Sequence, residues 1–192
     1  MKISKLRLLI STIMTLVITI STWQAVKAWG SNGTWASNTQ YYRFNSAVPT
    51  GYRTYISNGA NAWTNVTRSH WSWNLSTTKG MWVYYQYIDG PANVGAITSK
   101  TIIFGIITSA NMTFDSSENW YAGTGVPGGS QFDLQSSAAH EMGHGLGLAH
   151  TSGIYCPGNT NNATMCASQP PGSYYMRTLE GDDRNGVNTL YP

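Results

Sequence analysis

The strongest chemical signal in this sequence is the segment HEMGHGLGLAH, which contains three of the four histidines of the chain. His140 and His144 are four residues apart, so on a helix both project from one face and can bind the same metal ion. Gly147 can end that helix by adopting a left-handed conformation, and His150 can then return as a third ligand. Three imidazoles leave a fourth position for water, as in catalytic zinc sites, and Glu141 is placed to act on that water as a general base.

Two simpler explanations of this cluster agree less well with the sequence. At the frequencies of histidine and glutamate in this chain, a chance H-E-x-x-H is expected only about 0.001 times. A structural zinc site needs a fourth protein ligand, usually cysteine, and the cluster contains none. The remaining histidine, His70, stands beside Trp71 and Trp73 and is interpreted as an ordinary surface or packing residue. The sequence therefore predicts one catalytic zinc ion, bound by the three clustered histidines.

The helices that must position this cluster can be predicted from local signals. Asp133 is a suitable N-cap for a helix over about 134–146, which carries the first two histidines. Pro49 opens an earlier helix in which apolar residues recur at helical spacing. These apolar positions are Tyr52, Ile56, Ala60, Trp63 and Val66. A last helix is predicted over 179–191.

Strands are predicted before and between these helices, from short runs rich in aromatic and β-branched residues. The predicted strands lie at 41–44, 81–88, 94–98, 102–108 and 112–114, and a glycine-rich loop follows at 123–130. Neither an internal repeat nor a linker interrupts the chain. Residues 29–192 are therefore expected to form one α+β domain.

The composition excludes two classes of protein. Charged residues make up 10% and aromatic residues 12% of the chain, the reverse of the balance in disordered proteins. Four of the eleven cations lie in the first 28 residues, which leaves seven cations against eight acids, a net charge of −1, for the remainder. This remainder cannot supply the basic surface that a nucleic-acid-binding protein needs, so nucleic acid is excluded as a partner.

Residues 1–28 have the three zones of a signal peptide. A basic start is followed by an apolar run at 8–20, and Val26 and Ala28 supply small residues at the −3 and −1 positions of a cleavage site. The apolar run is short for a membrane span, which needs about 20 residues. We therefore expect the mature protein, residues 29–192, to be secreted to the extracellular space as a monomer that has no membrane partner once the signal is removed.

Export determines how the two cysteines are interpreted. Cys156 and Cys166 both lie in the mature part, and two cysteines ten residues apart outside the cell favour one disulfide around a short loop. Metal binding by this pair is the weaker alternative, because the three histidines already form a complete ligand set.

The full spacing H-E-x-x-H-x-x-G-x-x-H resembles the signature of the metzincin clan of zinc peptidases. Metzincins also carry a methionine turn beneath the zinc ion, and the ATMC sequence that ends at Cys166 follows His150 at a suitable distance. The resemblance implies that Met165 supplies an apolar, polarizable floor under the imidazoles without binding the metal.

Within that clan the chain resembles the matrixins, in a small bacterial-type secreted form. The resemblance lies in the FDL sequence before the zinc helix, in Trp35 before the YRF strand, and in the ending LEGDDRNGVNTLY. It implies a zincin-like fold with a twisted, mostly parallel sheet and three helices. These are an N-terminal helix, a zinc-binding active-site helix below a substrate cleft, and a C-terminal helix. It also implies a secreted zinc endopeptidase that hydrolyses the peptide bonds of protein or peptide substrates with Glu141 as general base.

The resemblance assigns roles to two acids near the C-terminus. Asp183 is implied to accept hydrogen bonds from the backbone of the methionine turn and so to support the floor of the zinc site. For Asp182 two alternatives remain, contact with the new amino group at Trp29 or a place on a solvated face.

The sequence departs from the matrixin pattern before the first strand. Matrixins usually carry a propeptide whose cysteine blocks the zinc ion, and no such segment is expected between Ala28 and Trp35. Calcium is a further open alternative, because Asp89, Asp115 and Glu118 lie in predicted loops, although acids in loops are also common without any ion.

Two other functions are kept as alternatives to protein hydrolysis. One is a zinc peptidase that cuts cell-wall peptides. The other is a surface-binding module that has retained the fold without catalysis, although a binding module would have no need of Glu141 as a general base.

Overall fold

The computed structural model describes residues 29–151, Cys156 and residues 162–192. The predicted signal peptide, residues 1–28, lies outside the described residues. In chain order, the elements are β1 (Thr39–Phe44), α1 (Thr50–Thr64), β2 (Ser72–Leu75), β3 (Met81–Gln86), β4 (Ala96–Ile103), β5 (Ile106–Asp115), β6 (Trp120–Tyr121), β7 (Phe132–Asp133), α2 (Leu134–Leu146), a 3₁₀ turn (Tyr175–Arg177) and α3 (Gly181–Leu190). Among the described residues, no helix is both long enough and apolar enough to cross a bilayer.

Five strands form one mixed sheet in the order β2-β1-β3-β5-β4, and β6 and β7 form a separate parallel pair. The pairs β1–β2, β1–β3 and β3–β5 are parallel, whereas β4 runs antiparallel to β5 at the edge of the sheet. The prediction of an α+β fold with a mostly parallel sheet is therefore confirmed. The edge strand β4 also contacts α2, so the sheet edge and the helix that carries the histidines are neighbours.

Helix α1 packs directly on α2 and fixes the position of that helix. Ile56, Ala60 and Trp63 of α1 are buried, and the Trp63 indole N–H donates to the carbonyl oxygen of Ala139 at 2.7 Å. Gly59 lies so close to α2 that a Cβ there would be 2.6 Å from the backbone nitrogen of Ala139. The two helices can approach this closely only because Gly59 has no side chain.

The predicted strand over 102–108 is wrong, since the chain reverses direction in the middle of it. Phe104 and Gly105 have φ angles of 50° and 82° and form a tight turn between β4 and β5. The segments predicted at 94–98, 102–108 and 112–114 are therefore the two strands of one hairpin. An aromatic residue is unusual at a left-handed position, so local sequence signals do not identify this turn.

Strand β2 was not predicted. It follows Trp71 and includes Trp73, both of which are buried, and it pairs in parallel with β1 from Thr39 to Tyr42. This strand forms because it packs its tryptophans against the core. Four residues are too few to show the alternation by which a strand is recognised in a sequence.

Candidate metal centre and active site

Helix α2 begins and ends at the residues predicted from the sequence. The Asp133 carboxylate accepts a hydrogen bond from the Ser136 N–H at 2.8 Å and so caps the first turn. Gly147 ends the helix with a φ of 122°. A Cβ at Gly147 would lie 2.2 Å from the carbonyl oxygen of Gly33, so the position requires glycine for space as well as for conformation.

The structure brings the three predicted histidines together. The Nε2 atom of His150 lies 3.2 Å from Nε2 of His140 and 3.0 Å from Nε2 of His144. Among the described residues, these three are the cluster of histidine, cysteine or acidic side chains that could hold a metal ion. A tetrahedral zinc ion with Zn–N distances of about 2.0–2.1 Å separates its nitrogen ligands by about 3.3 Å, which fits this cluster.

Backbone carbonyls orient two of the imidazoles. Nδ1 of His140 lies 2.7 Å from the carbonyl oxygen of Thr164, and Nδ1 of His144 lies 2.9 Å from that of Leu148. Because a carbonyl oxygen can only accept, each ring carries its proton on Nδ1 and leaves the Nε2 lone pair free. Both lone pairs point to the space shared with His150, which is the arrangement that a metal ion requires.

The environment also keeps these two rings neutral. Burial lowers the pKa of His140 to about 4, with a further lowering from His150, although the hydrogen bond to Thr164 acts in the opposite direction. Burial likewise lowers the pKa of His144 to about 4. Neutral imidazoles are the form that binds metal, so both side chains are in the ligand state at neutral pH.

Met165 lies beneath the histidine cluster, as the resemblance implied. Its side chain is fully buried, and a Cβ at Gly143 of α2 would be 2.3 Å from its sulfur atom. The methionine therefore packs against the backbone of the helix between the first two histidines. The carbonyl oxygen of Met165 also accepts a hydrogen bond from the N–H of Thr151, next to His150, at 2.9 Å.

Asp183 supports this turn through hydrogen bonds to its backbone. Its carboxylate accepts from the N–H groups of Thr164 at 2.8 Å and of Met165 at 3.0 Å, and also from the N–H of Glu180 at 2.8 Å. The role implied for Asp183 is therefore confirmed. Asp182 is only 4% exposed, which contradicts the alternative of a solvated face.

The two cysteines form the predicted disulfide. Cys156 and Cys166 are bonded, with their Cα atoms 5.7 Å apart. The bond connects the segment after His150 to the residue that follows Met165. The third histidine and the methionine turn are thus joined covalently as well as by the hydrogen bond from Thr151.

Glu141 lies beside the histidines with one oxygen free. The side chain is only 5% exposed, and within the described part of the chain its Oε2 atom has no hydrogen-bond partner. Burial raises the pKa of this carboxyl group above its ordinary value. A buried carboxylate with an unsatisfied oxygen at the edge of a cleft can accept a proton from a bound water molecule.

The cleft above the histidines has a volume of about 530 Å³ and lies between α2 and the edge strand β4. Thr98 and Lys100 of β4 connect the two elements, since Thr98 Oγ1 donates to the carbonyl oxygen of Glu141 at 3.1 Å and Lys100 Nζ to that of His144 at 2.8 Å. Neither residue was predicted as part of the site. Thr98 and Lys100 are two residues apart, so strand geometry places them on the same face of β4. The sequence does not indicate what that face contacts.

Apolar side chains line the cleft together with these polar groups. Trp120, Phe132 and Met176 are among the lining residues, and the rings of Trp120 and Phe132 are 6.3 Å apart. A second hollow of about 480 Å³ lies between α1 and residues 177–184, and no histidine or carboxylate is found among the described residues that line it. The cleft over the histidines is therefore the candidate active site.

Arg177 is a further residue that sequence reasoning missed. Its guanidinium bonds both carboxylate oxygens of Asp133, at 2.9 and 2.5 Å, and its remaining N–H groups donate to the carbonyl oxygens of Gly123, Thr124 and Gly125. The arginine thereby fixes the glycine-rich loop to Asp133, the N-cap of α2. Such a contact joins residues over 40 apart in sequence, so no local pattern indicates it.

The three acids considered for calcium bind backbone amides in the structure. Asp115 accepts from the N–H groups of Asp89 at 3.1 Å and of Ser117 at 2.8 Å. The carboxylate of Asp89 accepts from the N–H of Val94 at 3.2 Å, and that of Glu118 accepts from the N–H of Asn93 at 3.2 Å. These bonds hold the loop before β4, which forms one wall of the cleft. The acids thus have a structural role here that does not depend on an ion.

We expect Asp115→Asn to destabilise the protein by about 1–3 kcal/mol at pH 7, because some loop amides lose their acceptor. Although burial acts to raise it, hydrogen bonds from Ser117 and from the loop backbone lower the pKa of Asp115 to about 2. A carboxyl group with a lowered folded-state pKa stabilises the fold above its unfolded pKa of about 3.9 and loses that contribution as the pH falls to about 2. Denaturation curves should therefore show a difference between variant and wild type that shrinks between pH 4 and pH 2. A difference that stays constant over this range would contradict the assignment.

The fold and this site define the class of the protein. Two histidines on one helix are joined by a third histidine beyond a glycine turn, with a buried methionine turn beneath them. This is the arrangement of the metzincin class of zinc-peptidase domains. A family model for the matrixins, a peptidase family, matches residues 49–192, three quarters of the chain. The chain belongs to the matrixin family, as the sequence motifs implied.

Individual relatives resemble the chain over shorter stretches. Metalloendoproteinase 1 of Glycine max is 39% identical over 87 residues, which is 44% of this chain and 26% of the relative. Human matrix metalloproteinase-27 is 33% identical over 109 residues, which is 55% of this chain and 18% of the relative. Human matrix metalloproteinase-20 is 37% identical over 78 residues, which is 41% of this chain and 14% of the relative. The chain thus spans about a quarter or less of the length of these relatives.

Proposed function

We propose that residues 29–192 act as an exported zinc-dependent endopeptidase that hydrolyses peptide bonds in proteins. His140, His144 and His150 bind the zinc ion in this proposal, and Glu141 is the general base. The observation that carries the proposal is the convergence of three imidazole nitrogens beside a buried carboxylate whose Oε2 atom lacks a partner in the described structure. Glu141 would serve no purpose in a module that only binds a surface.

The residues of the chain divide the chemistry between them. When bound, a zinc ion would supply the Lewis acidity that polarises the scissile carbonyl and lowers the pKa of its bound water to about 7. The Glu141 carboxylate takes the proton of the attacking water and passes it to the nitrogen of the leaving amine. Strand β4 lies at the edge of the sheet beside the cleft, so its main chain can hold a substrate peptide in an extended conformation.

The hydrogen bonds from β4 to α2 give this arrangement its precision. Thr98 and Lys100 bond the carbonyl oxygens of Glu141 and His144, so the strand that holds the peptide is fixed relative to the general base and the second histidine. A peptide bonded to β4 therefore has its scissile bond at a defined distance from both groups, which is the basis of catalysis by proximity.

Export follows from the proposed removal of residues 1–28 as a signal peptide. The disulfide between Cys156 and Cys166 supports an oxidising compartment, since such bonds are rare in the cytosol. We propose that the mature domain is an extracellular monomer. The cleavage site is tested by intact-mass measurement on protein from the culture medium. We expect the mass of a chain that begins at Trp29.

Cleavage of a peptide library by the purified protein tests the proposed activity. We expect internal cleavage of peptides and of casein, loss of activity with a chelator, and recovery on addition of zinc. Activity against peptidoglycan but not casein would indicate a cell-wall peptidase instead. Metal analysis of the same sample should find one zinc ion per chain, and calcium bound in addition would support the alternative raised by the loop acids.

We expect His150→Ala to weaken zinc binding by more than 100-fold while leaving the fold intact. Changes that only affect the partners of metal ligands cost about 10–100-fold in affinity, so the loss of a ligand itself should cost more. The other two histidines stay in place because α2 and their carbonyl partners position them. Competition with a chelator of known affinity measures the effect, and His70→Ala is the matched control with unchanged zinc binding. Tight binding of one zinc ion by the His150 variant would remove this residue from the ligand set.

A further inference from the structure

The turn between β4 and β5 presents a cluster of large apolar side chains to solvent. We call this cluster the apolar tip; it consists of Ile102, Ile103, Phe104 and Ile106. The side chain of Phe104 is fully exposed, and the three isoleucines are 40–52% exposed. The peptidase chemistry proposed above makes no use of these side chains.

Backbone hydrogen bonds hold the apolar tip in its exposed position. Thr34 donates to the carbonyl oxygen of Gly105 at 3.0 Å and accepts from the N–H of Ile107 at 2.8 Å, so the turn is bonded to the body of the domain. Phe104 and Gly105 both have positive φ angles, a type of two-residue turn that favours asparagine followed by glycine. Phenylalanine strains this turn, so its presence at the apex points to a role other than turn formation.

Charged groups are absent from the whole segment around the tip. Residues 101–114 contain no lysine, arginine, aspartate or glutamate. The nearest charged residues along the chain are occupied elsewhere, since Lys100 donates to the carbonyl oxygen of His144 and Asp115 binds loop amides. The tip can therefore leave water without the cost of desolvating a charge.

The shape and area of the apolar tip fit a lipid surface better than a protein partner. Its four side chains expose on the order of 500 Å², whereas a stable protein interface buries about 800 Å² on each partner. The tip is a convex apex, and a protein partner would need a matching hollow to cover it. The boundary between lipid headgroups and acyl chains accepts apolar side chains of any shape to a depth of about 5–10 Å.

We propose that the apolar tip inserts into the surface of a lipid bilayer and binds the protein reversibly to membranes. This proposal departs from the expectation of no membrane partner after signal removal, which was based on the lack of a further spanning segment. Phe104 follows the last residue of β4 and is four residues beyond Lys100, about 13 Å away in the direction of the strand. The cleft would then stand close to the membrane, and the substrates would be proteins bound to or exposed at that surface, a consequence that rests on the proposed peptidase function.

Binding of the mature protein to phosphatidylcholine vesicles tests the proposal. We expect the wild type to sediment with vesicles to the same extent at about 0.1 M and 1 M salt, because the contact is apolar and is not screened. Phe104→Asn removes the largest side chain and suits the turn better, so this variant should fold normally and bind vesicles at least tenfold more weakly. Leu75→Asn is the matched control, since Leu75 is 57% exposed on the opposite edge of the sheet and its replacement should leave binding unchanged.

Several results would overturn the proposal. These are no binding by the wild type, equal binding by the Phe104 variant, or binding that is lost in high salt. A dimer in sedimentation velocity that Phe104→Asn dissociates, without vesicle binding, would show that the tip binds a second copy of the chain. Lower kcat/KM of Phe104→Asn on soluble peptides, without vesicle binding, would show a substrate contact.

Vesicle binding by Glu141→Gln is measured in parallel, so that a failure of the peptidase assignment is distinguished from a failure of membrane binding.

Discussion

Replacement of Glu141 by glutamine is expected to lower kcat by two to four orders of magnitude while zinc binding and folding are retained. The amide has the size of the carboxylate and can still hydrogen bond a water molecule, but it cannot accept a proton at neutral pH. General acid–base catalysis by one positioned group contributes about 10²–10⁴ to a rate, which sets the expected loss. The backbone carbonyl that bonds Thr98 is unaffected by the change, so the helix should keep its position against β4.

Two measurements decide the role of Glu141. The first is kcat on a peptide substrate together with zinc content, for the variant and the wild type. The second is kcat of the matched control, Glu118→Gln. Glu118 is 7% exposed and bonds a loop amide rather than facing the histidines. Glu118→Gln should keep kcat within a few-fold of the wild type. Near wild-type turnover by Glu141→Gln would show that another group is the base.

The helix that carries the site could be predicted from the sequence because its signals are local. Asp133 and Gly147 mark its two ends, and both work through groups within a few residues of themselves. The position of the histidines on one face follows from helical geometry alone. The methionine turn and its contact with Asp183 came from the family resemblance, since no local pattern places residues 18 or 19 apart at hydrogen-bond distance.

The parts of the site that could not be predicted depend on tertiary contacts. Strand β4 was divided into the wrong segments because Phe104 and Gly105 are not a common turn pair. The contacts of Lys100 and Arg177 are with backbone carbonyls far away in sequence, and a carbonyl carries no residue type that a pattern could reveal. The walls of the cleft are thus harder to predict than its metal ligands.

Hydrogen bonds connect Asp183 to the first zinc ligand through Thr164. The carboxylate accepts from the N–H of Thr164, and the carbonyl of the same residue accepts from Nδ1 of His140 at 2.7 Å. Removal of the carboxylate leaves three amides without this acceptor, the buried ones of Thr164 and Met165 and the partly buried one of Glu180. It also releases the peptide that orients the imidazole. Two separate properties should therefore change, the stability of the fold and the affinity for zinc.

Asp183→Ala is accordingly expected to lower the free energy of unfolding by about 2–4 kcal/mol, and to weaken zinc binding by about 10–100-fold. Asp182→Ala is the matched control, because Asp182 is the neighbouring acid in α3 and is similarly buried. The amides of the methionine turn bond Asp183 rather than Asp182, so the loss of Asp182 should cost less than about 1 kcal/mol and leave zinc affinity unchanged. Denaturant titration and chelator competition on both variants measure the two effects. Equal and mild effects of the two substitutions would show that Asp183 acts only as a charge at the start of a helix, worth about 0.3–1 kcal/mol.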